Sequence, residues 1–160
     1  MMDVVFSTHR ARKAVNTPTR TWPDRIEFND TAYLNGTQML TITNVGKEEQ
    51  KFTISHLPAG TVYTFDNKFI INDLPLVLVS EDQAQLTFSP SSFTLAPEKS
   101  QAVVVTVKPP ATSVSTLPVF SGHAQVQSNL EMGTLTVPSL GVAGSMYDIP
   151  VFNTTLKFER

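Results

Sequence analysis

Three histidines, His9, His56 and His123, are the side chains of this chain whose ordinary pKa lets them exchange protons near neutrality, so acid–base chemistry would start with them. A nucleophilic triad also needs a serine or cysteine and an orienting acid brought to the base. There is no cysteine, which removes a thiolate nucleophile and a thiolate-held zinc site. His9 lies in a basic N-terminal stretch. His56 ends a short alternating run ahead of Leu57-Pro58-Ala59-Gly60, and His123 falls on the polar side of its own run. No helical H-E-x-x-H pair and no glycine-rich phosphate loop occurs. Asp66, Asn67, Asn72 and Asp73 offer hard oxygens, but not at EF-hand spacing, and they read as a solvated loop. No catalytic, cofactor-binding or metal-binding residue is assigned.

A different chemistry is written in three N-x-S/T sequons, at Asn29-Asp30-Thr31, Asn35-Gly36-Thr37 and Asn153-Thr154-Thr155. Asn29, Asn35 and Asn153 are the candidate N-glycosylation sites. All three fall at strand edges or in loops, where a glycan has room, and they point toward an extracellular ancestry.

The elements that would carry these residues are strands. Thr is abundant beside Val and Phe, which suit a pleated half-buried surface, while 11 Pro and many Ser punctuate turns. Arg25 to Phe28 reads as a first strand. Thr37 to Asn44 alternates with Leu40 and Ile42 on one face. A turn at Asn44-Val45-Gly46, with Gly46 free to take positive φ, leads to Lys51 to Ser55, and the two runs read as a hairpin. Pro58-Ala59-Gly60 reads as another turn before a strand at Thr61 to Asp66. Gln85 to Phe88 and Gln101 to Val107 follow, the latter ending at Pro109-Pro110. Val119 to Gln127 and Thr134 to Val137 complete the set. Seven or eight strands without a 3.6-residue apolar period predict an all-β sandwich of two antiparallel sheets.

At 160 residues the chain accommodates one such domain. Residues 1–23 read as a basic, poorly ordered leader, 24–152 as the sandwich and 153–160 as a tail. A formal net charge of −2 without a basic stripe speaks against nucleic acid as a partner. No apolar run is long enough for a transmembrane helix, and no signal peptide is visible at Met1 to Phe6.

Six phrases then occur in order. Phe28-Asn29-Asp30-Thr31 runs through Asn35-Gly36-Thr37-Gln38 into Leu40-Thr41-Ile42-Thr43-Asn44-Val45-Gly46. After it come His56-Leu57-Pro58-Ala59-Gly60-Thr61, Phe88-Ser89-Pro90-Ser91-Ser92-Phe93, Pro118-Val119-Phe120-Ser121-Gly122 and Val137-Pro138-Ser139-Leu140-Gly141-Val142-Ala143-Gly144. Over residues 24–152 this order resembles the fibronectin-III-like domain that follows the peptidase domain in large secreted subtilases, especially fungal ones of the complement-peptidase type. The resemblance implies a fibronectin-III/immunoglobulin-like sandwich, a non-catalytic role, extracellular location and a subtilase peptidase domain as partner, in cis or in trans. Lys13-Ala14-Val15 looks like the end of the peptidase domain's last helix, and the Gly-x-Gly-Leu run expected before it is absent.

Ala143-Gly144-Ser145-Met146 is similar to the Gly-Thr-Ser-Met around a subtilase nucleophile, but that serine opens a helix, and Ser145 stands among strand-like residues ahead of Asp148 and Pro150. It is read as part of a turn. The expectation is an accessory domain whose catalytic domain is not in this chain, with a tendency to self-associate where an apolar face is left uncovered. The alternative is a stand-alone adhesion or cell-surface binding module.

Overall fold

The computed structural model describes residues 19–33, 36–65, 78–79, 82–111, 116–130 and 134–149. His9, Asn35, Asp66, Asn67, Asn72, Asp73 and Asn153 lie outside the described residues. The strands are β1 (Thr19–Trp22), β2 (Ile26–Asp30), β3 (Thr37–Asn44), β4 (Gln50–Tyr63), β5 (Leu78–Val79), β6 (Gln85–Ser89), β7 (Ser92–Leu95), β8 (Ser100–Lys108), β9 (Pro118–Ser128) and β10 (Thr134–Val142). Two sheets result, one in the order β1-β3-β8-β6 and one in the order β2-β10-β9-β4-β5, where β7 also pairs with β4. The predicted all-β sandwich is present, with more strands than the seven or eight expected.

Alternation explains why these segments pair as they do. In β8, Val103, Val105 and Val107 are buried while Ala102, Val104 and Thr106 face out, and β3 buries Leu40 and Ile42 against them. A one-residue slip would turn every one of these side chains to the wrong face. From the second sheet, Ile26, Phe28, Phe52, Ile54, Phe120, Ala124, Val126 and Val137 close the core. The Phe28 and Phe120 rings meet with centroids 6.2 Å apart. Each buried phenylalanine is worth about 2–3 kcal/mol of transfer free energy, so this interior carries most of the stability.

Several expectations are corrected. β3 and β4 are not a hairpin: β3 pairs with β1 and β8, while β4 belongs to the other sheet, so the connection crosses the sandwich. Gly46 does not take positive φ; the Asn44 side chain holds this turn by accepting from the Gly46 amide at 2.9 Å. The run Pro58-Ala59-Gly60 is not a turn. β4 continues through it along β9, and the extra residue is absorbed as a register shift between Pro58 and Gly60. The sandwich is also not wholly antiparallel, because β10 pairs β2 in parallel. These two strands stand far apart in sequence, so no tight turn dictates their relative direction.

The stretch read as leader reaches too far. Its residues Thr19–Trp22 form β1, which pairs with the Thr41–Asn44 half of β3 and buries Thr19 and Thr21. Their alternation is of threonine against Arg20 and Trp22, which hides a strand from any apolar pattern.

Candidate interaction surfaces

Of the three sequons, the one at Asn29 is described. Asn29 is exposed at φ 48° near the end of β2, beside the register shift between Leu140 and Gly141 of β10. The rest of that sequon is tied down: Thr31 Oγ1 accepts from the Gly144 amide at 2.9 Å, and Asp30 accepts from the amides of Ala32 and Met146. An asparagine tolerates this left-handed backbone better than most residues. Its side chain is therefore held out in solvent by a fixed turn.

The two remaining described histidines have structural surroundings. His56 lies on the inward side of β4, and its Nδ1 accepts a hydrogen bond from the Leu86 amide of β6 at 3.3 Å. The neutral ring then carries its proton on Nε2. A Cβ on Gly122 would stand 2.6 Å from that Nε2 and 3.4 Å from Ser139 Oγ, so a glycine in β9 makes room for the ring. Burial first, and then the charge of nearby His123, hold the His56 pKa below the ordinary histidine value. Histidine and serine thus approach one hollow. The arrangement is still not a triad, because an amide donor occupies the Nδ1 position that an orienting carboxylate would take. His123 pairs across to Leu57 and Pro138 on the outer side of the second sheet.

Ser145 follows Gly144, whose φ is 119°, and its side chain is buried in the turn beyond β10. Its hydroxyl lies 3.4 Å from that of Tyr33, donating to it, and accepts from the Asp148 amide at 3.3 Å. No helix begins there, and no histidine is among the partners of the hydroxyl given by these bonds. Among the described residues no group of three or more His, Asp or Glu could hold a metal ion, and no helix is long and apolar enough to cross a membrane.

What stands out is an uncovered face, whose position the sequence did not indicate. On the outer side of the first sheet, Trp22 of β1 is opposite Thr41, which is opposite Ala102; one row over, Met39 is opposite Val104, which is opposite Ser89. Trp22 is 74% exposed and Met39 53%. Among the outward residues of these four strands, Arg20 and Lys108 at the margins are the charged ones. A tryptophan and a methionine on a charge-poor, threonine-rich surface are the composition of a contact patch. The signal in the sequence was Trp22, which stood in the supposed leader. A second exposed group, Tyr33, Met146 and Tyr147, surrounds Ser145 at one end of the sandwich.

The family model described as an Fn3-like domain matches residues 26–140. No curated protein matches the chain. Among solved structures it is similar to the ASH/PapD-like domain of human CEP192 (PapD-like domain 7), at 17% identity and a TM-score of 0.55, over 79% of this chain and 85% of that one. It is also similar to a chain of the CsuC–CsuE chaperone–tip adhesion subunit pre-assembly complex from archaic chaperone-usher Csu pili of Acinetobacter baumannii. There the identity is 11% and the TM-score 0.51, over 79% of this chain and 52% of that one. The chain thus spans about half the length of that second chain. At these identities the likeness speaks for the fold alone.

Proposed function

This chain belongs to the Fn3-like domain family, and from that premise we propose that it is the non-catalytic accessory domain of a secreted subtilisin-like serine endopeptidase. The six phrases in subtilase order support the reading, and the observation that carries it furthest is the Trp22–Met39–Val104 face. That face is where the peptidase domain packs. Its two charges, Arg20 and Lys108, are both cationic, so the opposing surface is apolar at its centre with acidic residues at its rim. Proteolysis belongs to the partner; this domain supports its fold and substrate access. Asn29 carries a glycan in the extracellular protein.

The test is binding of the full chain to a purified subtilase peptidase domain, read by calorimetry. Trp22→Glu and Met39→Glu are each expected to weaken binding by about tenfold or more, as truncation of a central contact does. Absence of binding by the unsubstituted chain, or binding indifferent to both substitutions, sinks the reading. A stand-alone adhesion module would use the other exposed group instead. Binding to a cell surface lost in Tyr33→Ala and Tyr147→Ala, with no affinity for a peptidase domain, would favour that second reading.

A further inference from the structure

Polar ties between the two sheets differ in one respect. At one end of the sandwich, Asn44 of β3 bonds to the Leu95 carbonyl of β7 and to Gln50 of β4, and none of these groups titrates. On the β4–β6 side the tie is the hydrogen bond from the Leu86 amide to His56 Nδ1, whose acceptor does titrate. Leu86 stands opposite Val107, and Val107 donates its own amide to Gly36 on the β3 side. The Leu86 amide accordingly points away from β8, toward the open edge of the first sheet. His56 reaches out of the second sheet to cover it.

We propose that His56 is an acid-released latch between the sheets: proton uptake at Nδ1 removes the acceptor that holds the Leu86 amide and frees this side of β6. A neutral imidazole offers one acceptor and one donor, whereas the imidazolium has two donors and confronts the Leu86 N–H with another N–H. The protonated ring also meets the wall of its hollow, where Gly122 and Ser139 supply no counter-charge. From β9 the titratable group is His123, whose charge opposes protonation of the His56 ring rather than offsetting it. The described residues of β6, β10 and β5, namely Gln85–Ser89, Thr134–Val142 and Leu78–Val79, bring no titratable side chain to offset it. Acid therefore loosens one side of the sandwich while the Asn44 tie holds the other. Freed backbone on an edge strand is a template for pairing with another chain, so the latch also guards against edge association.

Amide exchange by NMR on the full chain tests the latch. The protection factor of Leu86 is expected to fall about tenfold or more between pH 7.5 and pH 5, and by clearly more than those of Val103 and Val105, as in a local rather than global opening. His56→Gln places a non-titrating carboxamide oxygen near the same amide, and its Leu86 protection is expected to be the same at both pH values. His123→Gln keeps the latch and removes the second cation, so release is expected to begin at a higher pH. Leu86 protection that is flat in the unsubstituted chain overturns the proposal. So does protection that falls alike in His56→Gln, or in step with Val103 and Val105.

Discussion

The carboxamide of Asn44 donates to the carbonyl of Leu95 at 2.9 Å, tying two sheets together from a site with no solvent exposure. The same side chain donates to the Glu48 carbonyl and accepts from the Gly46 amide and Gln50 Nε2. Gln50 in turn accepts from Ser128, whose oxygen accepts from the Leu130 amide. The ends of β3, β7 and β9 and the start of β4 are thereby tied into one network. Asn44→Ala leaves several buried groups without partners at once, and each such orphan costs about 1–3 kcal/mol. Since the groups relax together, the expected loss is about 3 kcal/mol in urea unfolding, with the m-value unchanged. A loss below about 1 kcal/mol would show that water replaces the side chain.

Gly141 of β10 is required for space. A Cβ there would stand 2.3 Å from Cζ of Phe120, a ring that is buried and meets Phe28 at a tilt. The ring has core on its other side, so it cannot retreat without moving Phe28. Gly141→Ala is expected to destabilise by about 2 kcal/mol, within the range of overpacked cores. The check is a thermal melt of Gly141→Ala beside Gly141→Ala with Phe120→Leu. Partial recovery in the double variant marks the clash as the cause.

How far the fold was legible depended on whether a neighbour's identity was local. β3 and β8 were readable because each buries one face, and Leu40, Ile42, Val103 and Val105 print that on the sequence. β4 read as two strands because Pro58 and Gly60 are turn residues. What keeps it whole is β9, some sixty residues on, which pairs with both halves. The β3–β4 hairpin was misread for a related reason: a tight turn says that the chain reverses, not that it stays in its sheet. The His56 tie was not legible at all, since its partner is a backbone amide thirty residues away. The position of the exposed apolar face was equally hidden, because cross-strand register, not sequence proximity, brings Trp22, Met39 and Val104 together.

The turn from β7 into β8 places a side chain where glycine belongs. The Ala96 carbonyl accepts from the Lys99 amide at 3.2 Å, Pro97 takes the second position, and Glu98 the third at φ 60°. Proline second and positive φ third is the type II pattern, which favours glycine there. The Glu98 amide is used, donating to the Asn44 carbonyl at 2.8 Å, and glycine preserves that donor. Glu98→Gly is expected to raise stability by about 0.5–1 kcal/mol despite its larger unfolded-state entropy. Glu98→Val, β-branched and unsuited to this backbone, is expected to lower it. A urea series on the two variants reads both signs, and equal midpoints would show that the turn relaxes freely.

The depressed pKa of His56 makes stability depend on pH in a stated direction. Its ordinary value is 6.5, and in the fold burial and His123 hold it lower. Above about pH 6.5 the ring is neutral folded and unfolded, and its contribution is fully present. As the pH falls below that, the unfolded chain takes up the proton first, so stability declines until the folded ring is protonated as well. The window therefore opens near 6.5 and extends downward, opposite to a histidine stabilised by a carboxylate. In urea titrations from pH 8 to pH 4.5, the midpoint is expected to hold to about 6.5 and then drop, with the drop smaller in His56→Gln. His123→Gln removes the like charge and brings the folded pKa nearer its ordinary value, so its decline should be shallower than that of the unsubstituted chain. Identical pH profiles for all three proteins would mean that the His56 ring does not sense the fold.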